Sequence, residues 1–369
     1  MTEPAFRFSD ELGPKTILHI HEPSVNLKAI LVVDNVATGP SIGGVRMAPD
    51  VSLAECFRLA RAMTFKNAAA GLPHGGGKSV IFGDPGIDAA EKEQMVRAFA
   101  NAIHSVDDYI PGPDMGTNET AMAWVKDEIG RAVGLPRCVG GIPLDEIGAT
   151  GFGLVAAAEM AQHTAGIDLQ GARIAIQGFG SVGSHAARFF TEKGAVLVAA
   201  ADSHGAVENQ DGLDVNALVA IKQGGGQVTD LAGGTRLDDG DIVGVDCEIW
   251  IPAARPDVIH AGNAGEVRAK LIVPGANIGV TEEAEAALAA RGVVCIPDFI
   301  ANAGGVICAA VEYQGATQDQ AFQVIDEKIR ANTAEALARA RRDDALPRHA
   351  AIAMALERVR AAMRLRRWA

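Results

Sequence analysis

The sequence predicts an α/β fold with two domains around a cleft, one of which contains a doubly wound parallel sheet. The chain has 369 residues, which is more than one hydrophobic core usually organises. Apolar strands alternate with helical segments in the second half, an order typical of parallel sheets covered by helices. A glycine-rich turn, Gly178–Gly183, joins one such strand to the helix after it. These observations place the parallel sheet in the second domain.

Residues 1–148 are expected to form the first domain, completed by C-terminal helices over residues 321–369 that fold back onto it. Ala29–Val33 is a continuous apolar run and predicts a strand. Gly39–Gly44 contains glycine and proline and predicts a turn. From Ser52 to Ala70 the apolar side chains recur at helical spacing, which predicts a helix with one buried face.

The rest of this domain combines helices with one loop that holds a carboxylate. Asp88 is expected to open a second helix, because it is a capping residue with a glutamate three positions later. The proline- and glycine-rich segment Tyr109–Thr117 is expected to be a loop that presents Asp114. From Thr317 onward the sequence predicts helices, with a break at Pro347.

Residues 149–320 are expected to form the second domain. A helix from Gly151 to Thr164 precedes the buried strand Arg173–Gln177, and a later strand ends at Asp202. Further strands are expected at Glu248–Ile251, Leu271–Val273 and Val293–Ile296. This alternation predicts a parallel sheet wound in both directions.

The composition narrows the class of function. The formal net charge of −13 argues against a nucleic-acid partner, whose phosphates need a basic surface. Five scattered cysteines without a C-x-x-C pair favour a reducing cytoplasm and give no support to a metal site. No leader and no apolar run of membrane-spanning length is evident, so a cytoplasmic protein is expected.

Two lysines form the first candidate site. Lys66 and Lys78 lie twelve residues apart, and three consecutive glycines, Gly75–Gly77, precede the second. A phosphate loop is excluded because Leu72 stands where that motif needs glycine. We expect the glycines to leave space for a ligand beside Lys78. Desolvation and a second nearby cation would lower the pKa of Lys78, as a general base requires. The alternative is a surface lysine after a flexible turn.

The glycine-rich turn forms the second candidate site. It follows a strand, opens a helix and precedes a strand that ends at Asp202, 24 residues after Gly178. This context predicts a dinucleotide-binding loop, with the phosphates at the helix N-terminus. Its members are Gly178, Phe179, Gly180, Ser181, Val182 and Gly183. Asp202 can accept hydrogen bonds from the ribose hydroxyls and repel a 2′-phosphate, which favours NAD over NADP. Ser203 and His204 could help to accommodate a phosphate, and a structural turn with a capping Asp202 is the alternative.

Further motifs follow one another in a fixed order from Gly39 to Tyr313. They are Gly43-Gly44-Val45-Arg46-Met47, Met63-Thr64-Phe65-Lys66, Pro73-His74-Gly75-Gly76-Gly77-Lys78, Pro113-Asp114-Met115-Gly116-Thr117, Ala149-Thr150-Gly151, the glycine fingerprint, Pro274-Gly275-Ala276-Asn277 and Pro297-Asp298-Phe299-Ile300-Ala301-Asn302-Ala303-Gly304-Gly305. On these motifs the chain resembles the glutamate/leucine/phenylalanine/valine dehydrogenases. These amino-acid dehydrogenases are oxidoreductases that reversibly deaminate an L-amino acid to a 2-oxo acid and ammonia with a nicotinamide cofactor.

The resemblance implies a role for each matched position. Lys66 would bind the substrate α-carboxylate, and Lys78 would be the catalytic lysine that activates water. Asp114 would exchange protons with the amine and the carbinolamine. Thr150 would bond the nicotinamide carboxamide, and Asn277 would lie near the nicotinamide ribose and the substrate.

Two positions bear on the substrate. Ile42 stands where glutamate-specific members have a lysine, and Ala309 stands where they have a serine. A pocket of Ile42, Gly43, Val306 and Ala309 offers no partner to a second carboxylate, and burying one unpaired is prohibitive. An apolar L-amino acid of the leucine, valine or phenylalanine type is therefore expected.

Other features of the chain keep two alternatives open. The segments Asp202–Gly205 and Ile278–Ala284 look closer to glutamate-type members. A glutamate dehydrogenase with an altered pocket is thus one alternative, and a catalytically silent NAD-binding regulatory subunit is another.

The resemblance also implies a homo-oligomer with domain closure near residues 148 and 320. Arg46 is expected to anchor a loop.

Overall fold

The computed structural model describes residues 6–366 and consists of two compact units. Within the described residues, the first unit consists of residues 6–144, Val306–Ala321 and residues 353–366. The second unit comprises Asp145–Gly305 and Phe322–Ile352. The division begins close to the predicted limit at 148, but the C-terminal helices are shared between the units. The terminal residues 1–5 and 367–369 of the predicted domains lie outside the described residues.

The first unit is built on a five-stranded sheet of order β1-β2-β4-β3-β5. The strands β1, β2 and β4 are antiparallel neighbours, whereas β4, β3 and β5 run parallel. Along the chain the elements are β1 (Thr16–Glu22), β2 (Leu27–Asn35), β3 (Ser41–Ala48), α1 (Leu53–Ala69), β4 (Gly75–Phe82), α2 (Ala89–Ala102), β5 (Tyr109–Pro113) and α3 (Glu119–Ile129).

Helices cover both faces of this sheet. One face packs on α1 through a buried cluster that includes Val32, Cys56, Ala60 and Val80. The other face packs on α2 and α3 through a larger cluster, which includes Leu31, Val45, Met47, Phe99 and Met122. Both predicted helices are confirmed, and Ser52 and Asp88 cap them through their side chains.

Two segments predicted as turn and loop are strands. Residues after Pro40 form β3, and Tyr109–Pro113 forms β5. In β3 the glycines allow close approach of neighbouring strands, because a Cβ at Gly43 would overlap the Gly77 carbonyl. In β5 the prolines are tolerated because this strand lies at the edge of the sheet. Glycine and proline content therefore misled the prediction in both places.

The second unit contains a seven-stranded sheet of order β12-β11-β10-β6-β7-β8-β9. From β12 to β7 the strands are parallel, which confirms the doubly wound fold, and β8 and β9 add an antiparallel edge that was not predicted. The elements are α4 (Ala149–Ala165), β6 (Arg173–Gln177), α5 (Ser181–Glu192), β7 (Val196–Asp202), β8 (Gly205–Glu208), α6 (Val215–Gln223), β9 (Thr235–Leu237), β10 (Ile249–Pro252), β11 (Leu271–Ile272), α7 (Glu282–Ala290), β12 (Val294–Cys295) and α8 (Asp298–Ala301).

The helices α9 (Gly304–Tyr313), α10 (Gln318–Arg342) and α11 (Pro347–Leu365) complete the described chain. Pro347 is the first residue of α11, where its missing N–H costs no hydrogen bond. Within residues 6–366, no helix is both long and apolar enough to cross a bilayer. The same residues contain no group of three or more His, Cys, Asp and Glu side chains suited to a metal ion.

Candidate active site

Lys78 and Asp114 come together in the first unit as a direct ion pair. Lys78 lies on β4, and Asp114 follows the last residue of β5. These strands flank β3, whose Gly44 lies between the two side chains. A Cβ at Gly44 would lie 2.7 Å from the Asp114 Cβ and 3.0 Å from the Lys78 Nζ. The pair therefore forms only because position 44 has no side chain.

Arg46 and Glu55 extend this ion pair into a series of side chains whose charges alternate in sign. The Arg46 Nε lies 3.3 Å from Asp114 Oδ2, and the Arg46 Nη1 lies 2.6 Å from Glu55 Oε1. Burial would raise the pKa of the Asp114 carboxyl, but the charges of Lys78 and Arg46 outweigh it and hold that pKa below its ordinary value. Lys78 itself is only 6% exposed, so the alternative of a surface lysine is wrong.

The three glycines before Lys78 have a different role from the one expected. A Cβ at Gly75 would overlap the Asn35 carbonyl, and one at Gly76 would overlap the Thr64 backbone. A Cβ at Gly77 would lie 2.7 Å from the Ser41 Oγ. The neighbours that need the space are thus the protein's own strands and helix α1. We expected a ligand there, and that expectation is wrong.

Lys66 lies in the last turn of α1, the helix that covers the Lys78 face of the sheet. The adjacent Asn67 fixes this helix end, because its amide donates to the carbonyls of Gly75 at 2.6 Å and Ile42 at 3.3 Å. Strand alternation places Ile42 on the same face of β3 as Gly44 and leaves Gly43 on the opposite face. The structure thus gathers Lys66, Lys78 and Ile42 on one face of the sheet.

The other two predicted pocket residues lie on α9. Val306 is half-buried and Ala309 is buried, and they are one helical turn apart. Glu312, on the next turn, accepts hydrogen bonds from the backbone N–H groups of Gly134, Leu135 and Ile142. This carboxylate fixes α9 to the segment that follows α3.

In the second unit the glycine loop has the geometry that the fingerprint predicts. Gly178 has a φ of 100°, which favours glycine. A Cβ at Gly183 would overlap the Gly178 carbonyl, so that glycine permits helix α5 to pack on the strand. At Gly180 a Cβ would meet nothing within 4 Å. The space over Gly180 therefore suits a ligand phosphate at the start of α5.

A cavity of about 640 Å³ opens at this loop, at the carboxyl ends of β6, β7 and β10. Open α/β sheets bind their ligands at this edge. Gln177 is 5% exposed and lines the cavity, and its Oε1 has no hydrogen-bond partner among the described residues. The remaining lining residues are Gly178, Phe179, Gly180, Asp202, Ser203, Lys222, Ala253, Ala254 and Arg255. Of the predicted cofactor residues, Ser181 and Val182 lie on the first turn of α5.

Asp202 already has partners in this cavity. Its Oδ2 accepts from Lys222 Nζ at 2.7 Å and from the Val228 N–H at 3.0 Å, and its Oδ1 accepts from the His204 N–H at 2.9 Å. Burial would raise the pKa of Asp202, but Lys222 and these N–H groups hold it below its ordinary value. The negative charge that underlies the expected NAD preference is therefore paired with a lysine.

The remaining predicted residues also lie in the second unit. Thr150 lies in the first turn of α4. The exposed Asn277 follows β11, and its Oδ1 accepts from Asn302 Nδ2 at 3.0 Å. The buried Asn302 therefore orients the Asn277 side chain so that its amide nitrogen remains as a donor.

Sequence reasoning missed the contacts of Arg46, Glu55 and Lys222. For Arg46 a signal existed, because a period of two places it on the same strand face as Gly44. Glu55 and Lys222 carry no such signal. Each meets its partner only through the packing of a helix on a sheet or beside a strand end.

Two protein-family models match most of the chain. The model described as "Glutamate/Leucine/Phenylalanine/Valine dehydrogenase" matches residues 140–367. The model described as "Glu/Leu/Phe/Val dehydrogenase, dimerisation domain" matches residues 17–131. Both candidate sites fall within the matched residues.

Curated relatives point to the same family. The NADP-specific glutamate dehydrogenase of Saccharolobus shibatae is 39% identical over 292 residues, which is 76% of this chain and 69% of that protein. The glutamate dehydrogenase of Aeropyrum pernix is 35% identical over 357 residues, which is 90% of this chain and 85% of that protein.

Solved structures share the fold. A hetero-hexameric glutamate dehydrogenase of Thermus thermophilus, in a leucine-bound form, has a TM-score of 0.87 at 31% identity and covers 95% of this chain and 90% of its own. The L-tryptophan dehydrogenase of Nostoc punctiforme has a TM-score of 0.74 at 23% identity and covers 96% of this chain and 98% of its own. At this identity the similarity supports the fold alone.

Proposed function

The chain belongs to the glutamate/leucine/phenylalanine/valine dehydrogenase family, and from this premise we propose that it deaminates an apolar L-amino acid with NAD. The coarser statement, that it is an amino-acid dehydrogenase, follows from the family match and from relatives at 35% to 39% identity. The reaction converts the amino acid, water and the oxidised cofactor to the 2-oxo acid, ammonium, the reduced cofactor and one proton. The observation that carries the proposal is the Lys78–Asp114 pair beside the apolar Ile42.

The proposed roles of the chain's residues follow from their charges. Lys66 holds the substrate α-carboxylate as a point charge. Asp114 accepts a proton from the substrate ammonium, which leaves a neutral amine. In its neutral form, Lys78 takes a proton from the water that attacks the imino carbon, and Asp114 returns its proton to the carbinolamine nitrogen. As the C–N bond breaks, the carbinolamine hydroxyl loses its proton to water. Lys78 also releases its proton, and of these two protons one converts ammonia to ammonium and the other passes to solvent.

The nicotinamide cofactor, when bound, accepts the hydride from the substrate Cα. The residues of the second unit fit such a group, because the space over Gly180 is open and the Gln177 Oε1 is buried without a partner. Gly178, Gly180 and the start of α5 would hold the pyrophosphate. Thr150 would hold the carboxamide, and Asn277 the nicotinamide ribose.

We propose an apolar substrate because the side chains at two predicted pocket positions cannot pair with a charged substrate side chain. Ile42 is 3% exposed and Ala309 is 5% exposed, and neither side chain can donate a hydrogen bond. A glutamate side chain would have to be desolvated there without a partner from these two positions, at a cost of several kcal/mol. An apolar side chain gains from burial at the same positions.

Glutamate is the second candidate substrate, and the names of the relatives favour it. The proteins of Saccharolobus shibatae and Aeropyrum pernix are glutamate dehydrogenases. Under this alternative, residues other than Ile42 and Ala309 would pair with the second carboxylate. A regulatory subunit without activity is the third candidate, and the joint presence of Lys66, Lys78 and Asp114 argues against it.

For the cofactor we propose NAD, with NADP accepted less well. Asp202 at the end of β7 is the acidic residue that binds a ribose diol. Lys222 pairs with this carboxylate at 2.7 Å and so reduces its repulsion of a 2′-phosphate. We also propose a homo-oligomer, because residues 17–131 match a dimerisation domain. Assembly into oligomers also occurs in a structural relative, which is a hetero-hexamer.

The test is an assay of NADH and NADPH formation with a panel of L-amino acids. Leucine, valine, phenylalanine and glutamate are compared at equal concentrations with each cofactor. The highest kcat/KM is expected for an apolar amino acid with NAD. Activity on glutamate alone would assign the second candidate. No activity with any amino acid, together with intact NADH binding, would assign the third.

A further inference from the structure

Arg46 joins the candidate active site to helix α1 through a chain of alternating charges. Glu55 pairs with Arg46, Arg46 pairs with Asp114, and Asp114 pairs with Lys78. The Arg46 Nη1 lies 2.6 Å from Glu55, and its Nε lies 3.3 Å from Asp114. The side chains of Arg46 and Asp114 are 19% and 20% exposed, so water screens this contact only in part.

The position of Arg46 follows from strand geometry. It lies two residues after Gly44, so both point to the same face of β3. Gly44 makes the space in which Asp114 meets Lys78, and Arg46 approaches the same carboxylate from the adjacent position. Glu55, in the first turn of α1, holds the far side of the guanidinium.

We propose that Arg46 is a positioning residue of the deamination reaction, which holds Asp114 by Oδ2 and keeps it in the anionic form that accepts the substrate proton. This inference rests on the proposed function of the site. It goes beyond the expectation that Arg46 anchors a loop.

The atoms that are in contact define how the proton moves. Lys78 and Arg46 both contact Oδ2 of Asp114. In the proposed role, Oδ1, the other oxygen of this carboxylate, takes the proton from the substrate ammonium. The same proton returns from Oδ1 to the carbinolamine nitrogen, so Asp114 ends each turnover as a carboxylate. Arg46 gives up no proton in this sequence, because its guanidinium stays charged.

The pH profile separates this role from a structural one. Oxidative deamination needs Asp114 ionised and Lys78 neutral, so kcat/KM falls on the acid side as this coupled pair takes up protons. Arg46 helps to hold the pKa of Asp114 below its ordinary value. Without the guanidinium the pKa must rise, and the acid-side midpoint must move to higher pH. A purely structural arginine would lower activity equally at every pH.

The experiment compares pH profiles of kcat/KM for wild-type protein, Arg46→Gln, Arg46→Lys and Glu55→Gln. For Arg46→Gln we expect the acid-side midpoint to rise by about one pH unit. Arg46→Lys keeps the charge, so its midpoint should stay near that of the wild type while kcat falls. Glu55→Gln removes an anion, so its midpoint should not rise. Arg97→Gln is the matched control, because Arg97 is also ion-paired in the first unit but contacts Glu93, Asp127 and Glu128.

Three results would overturn the inference. An Arg46→Gln midpoint equal to that of the wild type, with activity lowered at every pH, would assign a structural role. An equal rise for Arg46→Lys would show that charge is not the cause. If Arg46→Gln does not fold, a rise for Glu55→Gln would contradict the sign of the effect. Absence of wild-type activity on every amino acid would instead defeat the proposed function, so the two failures are distinguishable.

Discussion

Lys78 and Asp114 form an ion pair across β3, and they meet over the one residue of that strand, Gly44, that leaves space for both. The two side chains come from β4 and from the end of β5, which flank β3 on opposite sides. The position of the two strands is not sufficient for this contact. Lys78 and Asp114 can meet because Gly44, which lies between them, has no side chain, and the proposed chemistry depends on that contact.

Gly44→Ala should therefore disrupt the pair without unfolding the protein. The added Cβ would lie 2.7 Å from the Asp114 Cβ and 3.0 Å from the Lys78 Nζ, so both groups must shift. A displacement of about 1 Å in a catalytic group can cost about a hundredfold in rate, and we expect kcat to fall by that order. Gly86→Ala is the control, because this glycine is exposed and the three atoms nearest to an added Cβ belong to the Asp84 side chain, at 3.3 Å or more. Unchanged kcat in Gly44→Ala would contradict the role of the pair.

Ile42→Lys combined with Ala309→Ser should move the preference towards glutamate. The two substitutions restore the residues that glutamate-specific members have at these positions, and a lysine would pair with the second carboxylate. We expect the ratio of kcat/KM for glutamate over leucine to rise by at least about tenfold. The single variants show whether lysine alone suffices. A ratio that does not rise would mean that these positions do not contact the substrate side chain.

Lys222→Met should sharpen the cofactor preference. Without its lysine partner, Asp202 would present an uncompensated charge to a 2′-phosphate, whereas the ribose diol of NAD would still find an acceptor. We expect kcat/KM for NADP to fall about tenfold or more relative to NAD, as for the loss of about 1.4 kcal/mol. Lys193→Met is the control, because Lys193 pairs with Glu159 in the same unit at 2.8 Å. An equal fall for NAD and NADP would refute this role of Lys222.

Glu312→Gln should destabilise the first unit. The carboxylate of Glu312 accepts three backbone N–H groups, and its pKa is raised by burial against the opposing effect of those N–H groups. An amide has one acceptor oxygen, so at least one N–H loses its partner, at a cost of about 1–3 kcal/mol. Urea denaturation should show a lower unfolding free energy at neutral pH.

The raised pKa of Glu312 determines how the effect of Glu312→Gln on stability depends on pH. Because the folded-state pKa of Glu312 is raised, the ionised carboxyl is less favourable in the folded protein than in the unfolded chain. The wild-type protein therefore gains stability from protonated Glu312 at acid pH and loses this gain as pH rises through the raised pKa. Glutamine does not titrate, so the stability difference between the wild type and Glu312→Gln should be larger at acid pH than at neutral pH. Glu91→Gln, at an exposed position of α2, should leave stability nearly unchanged. Equal stability of both variants would mean that Glu312 does not hold α9.

Much of the second unit was predictable from sequence, because its signals are local. The strand Arg173–Gln177 was predicted at its observed bounds, and Gly178 and Gly183 have the backbone roles that the fingerprint assigns. A buried parallel strand is a continuous apolar run, and the turn after it needs glycine for steric reasons. The antiparallel strands β8 and β9 were missed because they are short and lie at the edge.

The first unit was harder to predict because its glycines serve tertiary contacts. Gly44 looked like part of a turn, but it lies in β3 and makes space for two side chains from neighbouring strands. The partners of Asp202 were likewise invisible, because Lys222 arrives from a helix 20 residues later. Sequence patterns identified which residues carry charge. They could not show which charges neutralise one another.

Lys78→Ala tests the central claim most directly. Turnover and NADH binding are measured separately on the intact protein, by absorbance of the reduced cofactor and by fluorescence titration. If Lys78 activates water while the second unit binds the cofactor, turnover on the best amino acid should fall by at least about a thousandfold, and NADH affinity should change less than about twofold. Near-native turnover in Lys78→Ala would contradict the account.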